Sequence, residues 1–213
     1  VYETKDGPKL ADFHYEDLAD PKWKGKVCIR SGQHPYNVAL TAAYLVHHGE
    51  EKTEAWLRGL KANLARKATG GDREGARDIL GGICDLALGN SYYVALMRSS
   101  KANAEQKKWG EAITVLMPTF EGGGTHVNVS GAAIAKNAPN KANAVKLLEF
   151  AVSPQMQALY AKQNYEYPVL AGAELDPLIA ELGPLKVDPI SLVDIAKARK
   201  KASELIDKVG FDS

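Results

Sequence analysis

The segment "CDLALGNSYYVALMRSS" (residues 84–100) changes character partway along. An apolar run of strand type ends in Gly89-Asn90-Ser91, two tyrosines follow, and a helical pattern begins. Neighbouring side chains point to opposite faces of a strand and lie about 100° apart on a helix. In the turn between the two, Tyr92 and Tyr93 are free to face one cleft together. Upstream, "KVCIR" (26–30) reads as a short strand, and Pro35 in "SGQHPYN" (31–37) suits the first position of a helix. The helix "YNVALTAAYLVHHG" stops at Gly49, and "EEKTEAWLRGLKANLA" sets Trp56, Leu57, Leu60 and Leu64 on one face of a second. A third, "GGDREGARDILGG" (70–82), has Asp72 as its expected N-cap and closes on two glycines. Strand, three helices, strand, helix is the pattern of an α/β fold with a parallel sheet covered by helices.

Outside that region, Val1–Thr4 has strand character and passes into a Pro/Gly/Asp-rich connection. "YEDLAD" predicts one helical turn before Pro21, and "AITVLMP" (112–118) another strand. "EGGGTHVNVSGAAIAK" is glycine-flanked and alternates at Thr125, Val127 and Val129, as an extended segment crossing between lobes would. Two helices broken near Pro154, the short extended piece "NYEYPVL" and an amphipathic helix "SLVDIAKARKKASELIDKVGF" complete the chain.

Composition narrows the function. The 213 residues are 45% hydrophobic and 25% charged, with 27 basic and 26 acidic side chains. A packed core is expected, and no basic stripe invites nucleic acid. No apolar run approaches the ~20 residues needed to cross a bilayer, and no leader of the secretory type opens the sequence. A cytoplasmic chain, a mature exported form and a fragment all fit. Cys28 and Cys84 lie at or near the start of apolar strands. Two buried thiols and a single disulfide are both open at this point. Their spacing makes no zinc finger, and there is no GxSxG or phosphate loop. His47-His48 sit at a helix end, where cations complement the dipole, and His34 and His126 stand alone.

Ligands of parallel α/β sheets bind outside the carboxyl ends of strands. "CDLALG" and "VCIR" both end there, so if the two strands are neighbours, Tyr36, Tyr92 and Tyr93 converge on one edge. A phenol is neutral in water at pH 7, but a highly charged cation reverses that preference. Hard cations prefer oxygen ligands, and three phenolates would cancel the charge of ferric iron. A neutral cluster costs far less to bury than a bare ion.

"YEDLADPKWKGKV", "RSGQHPYN", "GGDREGARD", "DLALGNSYY", "GTHVNVSGA" and "NYEYPV" together resemble the periplasmic ferric-iron-binding proteins of bacterial ABC importers. The resemblance runs along essentially the whole chain, and the Tyr-Tyr after Gly-Asn-Ser is its most specific element. It implies a two-lobed periplasmic binding protein type II fold related to the transferrin lobe. Residues 1–121 and 173–213 would form the second lobe, and 122–172 a piece of the first, including the crossover. It also implies that Tyr92 and Tyr93 coordinate Fe3+, with Tyr36 as a further ligand in one branch of the family. Other branches hold an anion, such as carbonate or phosphate, near a Ser-Gly turn and an Asn; Ser31, Gly32 and Asn90 match those positions. Arg73 is a further candidate for balancing charge. Most of the first lobe, with one or two more ligands, would precede Val1.

The resemblance further implies a monomeric, non-enzymatic carrier in the periplasm that passes ferric iron to an inner-membrane ABC permease. Export would favour a Cys28–Cys84 disulfide. The same fold carrying a small organic or anionic solute stacked on the tyrosines is the alternative, and an enzyme with a tyrosine acid/base is a third reading.

Overall fold

The computed structural model describes residues 1–5 and 10–213. The connection expected after Thr4 therefore lies partly outside the described residues. Four short strands form one sheet: β1 (Tyr2–Thr4), β2 (Val27–Cys28), β3 (Leu86–Ala87) and β4 (Ile113–Val115). Their order is β2-β3-β1-β4. As the sequence suggested, β2 and β3 are parallel neighbours, with Val27 opposite Leu86 and Cys28 opposite Ala87. The sheet is mixed rather than wholly parallel, because β1 inserts antiparallel between β3 and β4. Antiparallel pairing needs no crossover helix, so nothing in the alternation of strands and helices announces it.

Period-2 alternation divides the strands cleanly between two layers. Val1, Val27 and Leu86 point into the larger core, shared with α1 (Pro35–Ala62) and α8 (Leu192–Lys208). Tyr2, Cys28 and Ala87 point the other way. There they meet Ala76 and Ile79 of α2 (Asp72–Leu80) and Val94 and Met97 of α3 (Ser91–Arg98). Helix α4 (Ala104–Glu111) leads back into β4. Gly49 breaks α1 as expected, with φ of +79° inside an otherwise continuous helical span. Beyond it, Trp56, Leu57 and Leu60 are buried on one face.

The helix over 72–80 starts differently from expectation. Gly71 is its N-cap, and the Gly71 N–H donates to Glu74 Oε2. Asp72 is already the first helical residue, and its carboxylate turns into the protein. "YEDLAD" forms a 3-10 turn, Glu16–Ala19.

The cysteines form a disulfide, Cys28–Cys84, with Cα atoms 5.9 Å apart. It ties the end of β2 to the residues that lead into β3 and packs in the same cluster as Tyr2 and Ala87.

The segment 125–131 makes no regular strand; Thr125 bridges Val187 and the residues after it carry no regular secondary structure. Helices α5 (Lys141–Ala151) and α6 (Pro154–Asn164) meet at Ser153, whose side chain caps α6. No residue of α5 is buried, and Leu147 and Phe150 are 64% and 47% exposed. The chain returns through α7 (Pro177–Ala180), where Ile179 packs with Ala95 of α3 and Tyr165. Among the described residues, no helix is long and apolar enough to cross a membrane.

Candidate metal centre

Tyr36 is the second residue of α1, and Tyr92 and Tyr93 are the second and third of α3. Both helices begin where the parallel pair β2 and β3 ends, so the three phenols meet at one edge of the sheet. The Tyr36 and Tyr92 hydroxyls are 3.1 Å apart and hydrogen-bonded. The Tyr92 and Tyr93 rings are tilted by 35° with centroids 4.3 Å apart. All three side chains are half-buried. Burial pushes the Tyr92 phenol well above its ordinary range, and hydrogen bonds with Tyr36 and Tyr93 push it the same way.

The start of α3 is held by a buried carboxylate. Asp72 accepts from the Asn90 backbone N–H at 2.8 Å and from Asn90 Nδ2 at 2.7 Å. Its other oxygen accepts from Arg30 Nη1 at 2.9 Å, with the Asp72 side chain only 1% exposed. Arg30 in turn lies 5.3 Å from the centre of the Tyr36 ring. Arg30 and Asp72 thus form one ion pair touching both tyrosine-bearing turns. On the far side of Asn90, its carbonyl accepts from the Tyr2 hydroxyl at 2.6 Å. A Cβ on Gly89 would overlap the Tyr2 ring, so the glycine of "GNSYY" is required by this close approach. Asn128 Nδ2 donates to Asn90 Oδ1 at 3.1 Å, which brings the 125–131 segment to the same turn.

Ser31 and Gly32 sit at the turn before α1, but their donors are already engaged. Ser31 Oγ donates to Asp212 Oδ2 at 2.6 Å and the Gly32 N–H to Asp212 Oδ1 at 2.7 Å. Asn90 is engaged by Asp72, as above. Arg73 is exposed, with its guanidinium 5.6 Å from the centre of the Tyr93 ring.

Of the single histidines, His34 has a local partner, whereas His126 Nε2 is buried without one among the described residues. His34 caps α1 by accepting from the Tyr36 N–H at 3.3 Å, and burial together with Arg30 lowers its pKa. Burial pushes His126 down to about 4, so its ring is neutral at ordinary pH. His47 and His48 are not free cations at a helix end. His47 Nε2 meets Asp188 at 3.1 Å and His48 Nε2 meets Glu16 at 2.6 Å, both pairs largely buried.

Tyr2, Arg30, Asp72 and Asp212 are the contributors that sequence reasoning missed. Asp72 carried a signal of its own, but a helix start made it look like a cap. Arg30 directly follows the β2 run and left none.

The donor set suits a hard cation. Three phenols meet, with the Tyr36 and Tyr92 oxygens 3.1 Å apart, and a guanidinium lies over each outer ring. Among the described residues, no group of three or more His, Cys, Asp or Glu is placed to hold a metal ion.

Residues 13–187 match the model of the bacterial extracellular solute-binding protein family, and the chain belongs to that family. It is 45% identical over 197 residues to iron uptake protein A1 of Synechocystis, covering 92% of this chain and 54% of that protein. A Bordetella ferric binding protein superposes with a TM-score of 0.94 at 66% identity, over all of this chain and 67% of the other. A Trichodesmium IdiA (FutA) structure in complex with iron and citrate gives a TM-score of 0.93 at 38% identity, over 99% and 66%. The α/β fold is therefore that of the periplasmic ferric-binding structures, and the chain spans about half to two thirds of the relatives it matches.

Proposed function

We propose that this chain binds ferric iron as cargo through the phenolates of Tyr36, Tyr92 and Tyr93. The protein to which it belongs would then act in the periplasm as a monomeric carrier, not an enzyme, and deliver iron to an inner-membrane ABC importer. The carrying observation is the meeting of the three phenols at the ends of two neighbouring parallel strands, with Tyr36 and Tyr92 within hydrogen-bond reach. Without metal, burial holds the proton on the Tyr92 phenol, which hydrogen-bonds Tyr36. A trivalent cation makes the phenolate the favoured form, and Arg73, over the Tyr93 ring, offsets part of the added negative charge.

The relatives' descriptions as iron uptake and ferric-binding proteins support the same cargo. The exposed Leu147 and Phe150 support assigning 122–172 to a first lobe and the rest to a second. Asp72 already neutralises Arg30, which favours a site needing little added anion over one that recruits carbonate or phosphate.

Adding ferric iron to the purified chain tests the reading. Phenolate-to-iron charge transfer should give a visible absorption band, strongly weakened in Tyr93→Phe. A wild-type chain that shows no band, or a band untouched by that substitution, would sink it.

A further inference from the structure

We infer that Asp212 is a positioning residue for the Tyr36 phenol: by closing the Ser31–Gln33 turn it sets where α1 begins, and so where Tyr36 stands against Tyr92. The inference rests on the phenol site proposed above. Asp212 makes three hydrogen bonds to this turn. Oδ1 accepts from the Gly32 N–H at 2.7 Å, while Oδ2 accepts from Ser31 Oγ at 2.6 Å and the Gln33 N–H at 3.3 Å. A carboxylate is favoured at a helix N-terminus, and charge-assisted bonds of this length are the strong ones.

The rest of the turn is fitted to the same part of the chain. A Cβ on Gly32 would come within 2.8 Å of the Phe211 ring and 2.9 Å of an Ile206 methyl. Gln33 Nε2 donates to the Ser203 carbonyl at 2.9 Å and to Asp207 Oδ1 at 2.8 Å, and Gln33 Oε1 accepts from Ser203 Oγ at 2.8 Å. Within the turn, the His34 N–H donates to the Ser31 carbonyl, and the Tyr36 N–H to His34 Nδ1. The path from Asp212 to the Tyr36 backbone therefore runs through hydrogen bonds of 2.6 to 3.3 Å.

Tyr92 and Tyr93 have a separate support, since their helix start is held by Asp72 through Asn90. Asp72 thus holds the start of α3, and Asp212 closes the turn before α1, which Asp72 reaches only through Arg30. Losing Asp212 should displace one phenol and leave the other two in place.

The test is ferric titration of the 213-residue chain, read by the charge-transfer band and by competition with a chelator of known affinity. Asp212→Ala should weaken ferric binding about tenfold and shift the band. In a Tyr36→Phe background the same substitution should change affinity by less than about twofold, because its effect passes through Tyr36. Asp212→Asn, which keeps one acceptor, should fall between. Equal loss in both backgrounds, or no loss when Tyr36 is present, overturns the assignment. If far-ultraviolet circular dichroism shows that Asp212→Ala does not fold, Ser31→Ala removes one of the three bonds and must show the same dependence on Tyr36; an equal effect in both backgrounds again overturns it. A wild-type chain that takes up no iron overturns the iron reading itself. A wild-type band without the Tyr36-dependent effect overturns only the role of Asp212.

Discussion

The Tyr36 and Tyr92 hydroxyls stand 3.1 Å apart although 56 residues separate them in sequence. The Tyr92 ring also packs on the Tyr93 ring with centroids 4.3 Å apart, so Tyr92 is the middle member of the trio. Replacing the middle phenol removes a proposed ligand together with its hydrogen bond to Tyr36 and its ring contact with Tyr93. Tyr92→Phe should therefore weaken ferric binding more than Tyr36→Phe. Residues that only orient metal ligands are worth about 10–100-fold in affinity, so losing Tyr92 itself should exceed about a hundredfold. Chelator competition on the two variants measures the difference, and an equal or reversed order contradicts the middle position of Tyr92.

Ferric binding should strengthen as pH rises. Burial raises the Tyr92 pKa, so the phenol stays protonated through the physiological range until metal displaces the proton. Each phenolate formed releases one proton, and affinity then changes about tenfold per pH unit for each proton released. Competition experiments between about pH 6 and about pH 8, corrected for the chelator's own protonation, give the slope. Tyr36→Phe should lower that slope by about one proton. A slope unchanged by the substitution would exclude Tyr36 from the ligands.

Asp72 joins Arg30 to Asn90 in a nearly water-free position. Truncating one partner of a buried pair leaves the other charge uncompensated, which costs about 3–5 kcal/mol. Asp72→Ala should lower stability by that order in urea unfolding and should also release the start of α3. Arg30→Met, which removes the charge but keeps the bulk, leaves Asp72 with its two Asn90 donors and should cost less. If Asp72→Ala left the unfolding midpoint in place, the pair would not be holding these turns.

The meeting of Tyr36, Tyr92 and Tyr93 was legible because its parts are local. Gly-Asn-Ser after an apolar run marks the end of β3, and Pro35 marks the start of α1. Given two neighbouring parallel strands, the tyrosines at the helix starts that follow must share an edge. What supports them was not legible, because it arrives from distant sequence. Tyr2 reaches Asn90 from a strand inserted antiparallel, and Asp212 reaches Ser31 across a separation of 181 residues. Asp72 was misread since a carboxylate at a helix start has two uses, and only the Gly71–Glu74 contact shows that capping is met otherwise. His47 and His48 looked like helix-end cations because Asp188 and Glu16 lie in other segments.

The Cys28–Cys84 disulfide closes a sequence separation of 56 residues and joins the two strands that lead to the tyrosines. Cross-links over loops of this size restrict the unfolded chain and stabilise by about 2–4 kcal/mol. Adding a thiol reductant, or making the Cys28→Ser, Cys84→Ser double variant, should therefore shift the urea midpoint down by an equivalent amount. The thiols are buried among Tyr2, Ala87 and Val94, so reduction should be slow in the folded state and fast in urea. The parallel pairing of β2 with β3 rests on backbone hydrogen bonds and on side chains of the larger core as well as on the cross-link. The reduced protein should consequently remain folded without denaturant and keep the ferric band. A reduced chain with an unshifted midpoint would show that the sulfurs are not joined in solution. Loss of the band on reduction, with the fold retained, would mean that the disulfide itself fixes the tyrosine turns, a task assigned above to Asp72 and Asp212.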